Sequence, residues 1–177
     1  LVGHLMILSA FFISLYIFYT RSRLSLYFGL LCANFGVRVC CYDEFLINSI
    51  FPFLGYDAVF KIGYATFTLP VLLVTFFLQK LFRMAKKTVL ACLIAPLLCY
   101  LAINIFASTY LSSVLLMYAQ MYAVFIGVYN VLVVVIKSIK KNRIALFFLL
   151  GLLCFFGMAV YDILISNRVI EGKFIAH

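Results

Sequence analysis

Six apolar stretches, each about the length of a membrane-spanning helix, recur along this chain between short polar breaks. A hydrocarbon core ~30 Å thick takes ~20 mainly apolar residues per helix. A soluble fold of 177 residues could not bury a composition that is 68% apolar, with a mean hydropathy of +1.23. The fold class is therefore all-α, a polytopic transmembrane helix bundle. The spans fall at about 1–20, 24–42, 58–81, 88–107, 114–136 and 144–165. The stretch 174–177 reads as the start of a seventh.

The breaks carry the orientation. Those after spans one, three and five hold Arg21, Arg23, Lys80, Arg83, Lys86, Lys87, Lys137, Lys140, Lys141 and Arg143, ten basic residues and no acidic one. The other side holds Arg38, Lys61, Arg168 and Lys173 together with all five acidic residues, Asp43, Glu44, Asp57, Asp162 and Glu171. Basic residues favour cytoplasmic loops, so the N-terminus is expected outside. The apolar stretch 45–56 is too short to cross and contains Pro52, which suits a segment lying along the interface. Around 108–113 a nearly uncharged turn is expected.

Almost every residue is used by the spans, which leaves no room for a soluble catalytic domain. Leu1 opens directly on an apolar run with no basic stretch before it, which points to residues 1–177 being one domain excised from a longer protein. A net charge of +9 sits in short membrane-flanking breaks. The expected partners are anionic lipid headgroups and not nucleic acid. The six cysteines lie in or beside apolar runs without CxxC spacing, and His4 and His177 stand at opposite ends. Neither a metal site nor a cofactor is expected, and buried small hydrophobes are the default. Adjacent Cys40 and Cys41 form a candidate redox pair.

Polar groups at depth are costly and mark interhelical contacts or function. Arg38 lies fourteen residues beyond Leu24, or ~21 Å along the helix, and Asp162 lies eighteen beyond Ile144, or ~27 Å. That common depth allows an Arg38–Asp162 pair between spans two and six, while separate snorkelling to the interface is the competing arrangement. Asn34, one turn before Arg38, shares its helix face. Asn104, Gln120 and Asn130 place amides in spans four and five, where interhelical hydrogen bonding is the expected role. Pro70 and Pro96 are expected to kink their helices. Gly151 and Gly157, six apart, do not make a GxxxG packing motif. With twelve Tyr and no Trp, tyrosine serves as interface anchor, as at Tyr16, Tyr19, Tyr56 and Tyr110.

Several local features then carry a family resemblance. Leu15-Tyr16, Arg21, Arg23 and Leu26-Tyr27 surround the first turn. Tyr129-Asn130 lies in span five ahead of the basic turn at 137–143. Tyr161-Asp162-Ile163-Leu164 ends span six, with Tyr161 where the family often has Asn. In this order they resemble the seven-helix domain of bacterial seven-transmembrane receptors with diverse intracellular signalling modules. The resemblance implies a non-catalytic receptor or sensor domain of the bacterial inner membrane. It further implies an extracellular sensor domain before the bundle and a cytoplasmic signalling module after it. Such modules commonly act in pairs, so a homodimer is expected. The alternative is a small-solute transporter or channel, against which no two corresponding spans are broken by Gly-Pro and no internal repeat stands out. A membrane enzyme would want converging His, Glu or Asp groups, and the spans offer one Asp at depth and no His beyond His4.

Overall fold

The computed structural model describes residues 2–42, 47, 51–82, 87–139 and 143–166. These form six helices and no strand: α1 (Val2–Leu15) with a π-helical turn at Tyr16–Thr20, α2 (Arg23–Tyr42), α3 (Tyr56–Phe82), α4 (Lys87–Phe106), α5 (Thr109–Ile139) and α6 (Arg143–Ser166). Among the described residues five segments are long and apolar enough to cross a membrane, namely Val2–Tyr19, Arg23–Cys41, Tyr56–Phe82, Thr88–Phe106 and Thr109–Ile139. The chain is all-helical and multi-pass. α6 has 24 residues, and the expected start of a seventh span lies outside the described residues.

Local chemistry sets the ends. The first turn closes through a wide bond in which Arg21 N donates to Tyr16 O (3.1 Å), and Arg21 then adopts a left-handed conformation with φ 44°. The chain reverses there without a glycine. Ser22 O next accepts from Ser25 N and Leu26 N, starting α2. Gly55 O accepts from Ala58 N and Val59 N, and Asp57 in the first turn of α3 complements the helix dipole. Tyr19, Tyr56 and Tyr110, near helix ends, are all at least 80% exposed, as interface anchors would be.

One boundary departs from expectation. The turn anticipated at 108–113 shrinks to Ala107 and Ser108, and α5 starts at Thr109. Its serines read as loop formers, but Ser108 is a helix cap. Its Oγ accepts from Leu111 N (3.4 Å) and its carbonyl from Ser112 N (3.1 Å). A capping serine satisfies amides that a helix start leaves orphaned, so the helix begins five residues early. The described part of the stretch 45–56 includes a turn at Pro52 and Phe53, with both Phe51 and Phe53 exposed. Ile47 is helical and buried, and its carbonyl accepts from Phe51 N (2.8 Å); residues 43–46 and 48–50, with Asp43 and Glu44, lie outside the described residues.

The helices divide into two compact units, Leu1–Ala119 and Gln120–His177, with the boundary inside α5. In the first, α2 packs on α1 and on α3. Ile13 lies over Gly29 and Met6 over Gly36, so residue numbers rise on one helix as they fall on the other and the hairpin is antiparallel. α3 is 27 residues long and continues through Pro70. Its buried threonines satisfy their hydroxyls within the helix: Thr66 Oγ1 donates to Gly63 O (2.8 Å), Thr68 to Tyr64 O (3.2 Å) and Thr75 to Val71 O (2.7 Å). That self-satisfaction lets hydroxyls sit where no water competes. In the second unit, the Phe156 ring covers Gly127 so closely that a Cβ there would collide with it. Ala123, Ile126, Asn130 and Val134 form one buried stripe of α5, at spacings of three and four that keep them on one face.

Candidate functional site

The polar side chains of the first unit line up across four helices. Asn34 and Arg38 sit one turn apart on α2, and each is 8% exposed. Asn34 Nδ2 donates to the backbone carbonyl of Thr66 on α3 at 2.9 Å. The Arg38 guanidinium carbon lies 5.6 Å from the centroid of the Phe67 ring, within range of a cation–π attraction. Thr66 and Phe67 are consecutive, so α2 grips a single turn of α3.

Nearer the start of α3, the contact passes to α4. Asn104, 1% exposed, donates through Nδ2 to Lys61 O at 2.8 Å. Lys61 Nζ reaches back to Ile105 O at 3.5 Å, a long contact. It places a cation at the C-terminal turn of α4, where the helix dipole favours one. One turn before Asn104, Tyr100 OH donates to Ser112 O of α5 at 3.3 Å. The buried Asn104 Oδ1 and Ser112 Oγ have no hydrogen-bond partner among the described residues, so the seam retains unused polar capacity.

Gln120 and Asn130 belong to the second unit, where each is buried, 5% and 2% exposed. Asp162 lies in α6, but its side chain falls outside the described residues, and with it the pairing expected for Arg38. Cys40 is buried and Cys41 half-buried, both as free thiols. Among the described residues no group of three or more His, Cys, Asp or Glu is placed to hold a metal ion.

The seam thus consists of amides, hydroxyls, one guanidinium and the Lys61 ammonium, and its chemistry is hydrogen bonding between helices with one cation–π contact. Sequence reasoning singled out Asn34, Arg38 and Asn104 but missed what they bind: the carbonyls of Thr66 and Lys61, and the Phe67 ring. It also missed Tyr100 and Ser112. A backbone carbonyl leaves no mark of its own in a sequence. Thr66 had one indirect signal, because Pro70 stands four residues after it.

A helical, multi-pass bundle joined by buried hydrogen bonds is an architecture many membrane proteins share, and relatives must decide among them. No curated protein and no solved structure matches this chain. The family model described as 7TM diverse intracellular signalling matches residues 1–177. With that match spanning the whole chain, this multi-pass helical protein belongs to the 7TM diverse intracellular signalling family, membrane domains linked to signalling inside the cell.

Proposed function

We propose that the bundle is the receptor domain of a longer bacterial inner-membrane protein, relaying an extracellular signal to a cytoplasmic output module in the same chain. The observation that carries this reading is the match of all 177 residues to a family of intracellular signalling domains. The charge asymmetry adds a direction: ten basic residues on one side against four on the other support an outside N-terminus. An extracellular sensor domain then precedes the bundle, and any catalysis belongs to the module beyond it. Basic turns rest on anionic headgroups, and the protein works as a homodimer because its output does.

The seam supports the relay physically. Signal transmission needs two arrangements of the helices whose balance a ligand shifts. Hydrogen bonds that run from α2 through α3 and α4 to α5 make repacking of one helix felt by the next.

Single cysteines in a cysteine-free chain test the direction in sealed inner-membrane vesicles. Asn142→Cys should react with an impermeant thiol reagent only from the cytoplasmic side, and Ser108→Cys only from the outside. The reverse pattern overturns the reading. Solute flux through liposomes holding this bundle would replace it with a transporter.

A further inference from the structure

Proline has no N–H, so within a helix it deprives the carbonyl four residues earlier of its partner. In α3 the proline is Pro70 and the deprived carbonyl is that of Thr66. Thr66 is 4% exposed, and a carbonyl left without a donor inside hydrocarbon is strongly disfavoured. α3 nevertheless runs unbroken from Tyr56 to Phe82. The donor comes from a neighbouring helix: Asn34 Nδ2, 2.9 Å from Thr66 O.

We propose that Asn34, Thr66 and Pro70 form a pinned hinge, in which Pro70 opens the hydrogen-bond ladder of α3 and Asn34 on α2 closes it. The nearby hydroxyls cannot take over, since those of Thr66 and Thr68 donate to Gly63 O and Tyr64 O. Arg38 over Phe67 holds the adjoining residue of α3 against α2. Bending of α3 at this point is therefore coupled to the seating of α2. To swing, α3 must release Asn34, and if α2 withdraws, α3 is left with an orphaned carbonyl. The other interior proline shows what makes this one special. Pro96 frees the carbonyl of Cys92, an exposed residue of α4, whereas Thr66 is buried. The device does not depend on which signal the bundle carries.

A double-mutant cycle on the full chain in lipid tests it. Asn34→Leu keeps the side-chain size and removes the donor. Detergent-driven unfolding should show its folded-to-unfolded ratio falling about tenfold or more, as expected when a buried acceptor loses its partner. Pro70→Ala returns an N–H to Thr66 O, so in that background Asn34→Leu should change the ratio by less than about threefold. If Asn34→Leu alone yields no folded protein, Pro70→Ala should restore the yield. Backbone hydrogen exchange over residues 66–74 should quicken in Asn34→Leu and not in the double variant. An equal loss in both backgrounds, no loss in either, no recovery of yield, or unchanged exchange would each overturn the hinge.

Discussion

The two sides of α2 solve one problem by different means. Lipid tails are as apolar as leucine, so nothing hydrophobic drives helices together inside a bilayer. Toward α1, α2 presents Gly29 and Gly36, seven residues apart. A Cβ on Gly29 would stand 2.9 Å from Ile13 Cγ1 and 3.2 Å from the Ile13 backbone nitrogen, so the backbones nearly touch. Toward α3 it presents Asn34 and Arg38, which reach the Thr66 carbonyl and the Phe67 ring. There Tyr27 also stacks on Phe76, with centroids 6.3 Å apart and planes 18° from parallel. The first contact is a dry seam set by close approach at two glycines, with Phe12 edge-on to Phe28 beside them (centroids 4.7 Å). The second is a polar seam set by side-chain chemistry. A membrane helix with two neighbours can thus hold one by closeness and the other by bonds.

Substitutions on each side should separate the two mechanisms. The largest effect is expected on the dry side. Gly29→Leu drives atoms into the backbone of Ile13, which cannot yield like a side-chain tip, and should cost about 3 kcal/mol or more. Detergent unfolding at near-wild-type stability would show that α1 and α2 are not closely packed. On the polar side, Phe67→Leu removes the ring beneath a buried guanidinium. A loss of about 1–2 kcal/mol is expected, and an Arg38→Leu background should shrink that loss. Additive losses would mean that Arg38 and Phe67 merely lie near each other. The smallest change belongs to Gly36→Ala. Its new Cβ would meet only the end of Met6, with Cε at 3.1 Å and Sδ at 3.3 Å, and that flexible chain moves readily. The same measurement should register less than about 0.5 kcal/mol; a loss as large as that from Gly29→Leu would erase the distinction between rigid and yielding contacts along the dry seam.

Much of the fold can be read from the residues because hydropathy and chain length are local quantities. The spans anticipated at 58–81 and 88–107 fall within two residues of the helices Tyr56–Phe82 and Lys87–Phe106. The fifth did not, since a serine that opens a loop and a serine that caps a helix differ only in the backbone they join. Asn34 and Arg38 can be placed on one face by their four-residue spacing, but which neighbour that face meets is a tertiary fact. Gly29 and Gly36 escape a search for GxxxG because the α1 contact recurs after seven residues instead of four. Thr66 is legible only in hindsight, by counting back from Pro70.

Length itself has a mechanical consequence. The 31 residues of α5 reach ~46 Å at the helical rise, about half again the ~30 Å depth of a hydrocarbon layer. A helix longer than the layer must tilt, bend or project beyond it. Lys137 rides on the last turn of that helix, so how the C-terminal end accommodates the layer also decides where this charge sits. Membrane thickness is thereby an input to where that charge stands.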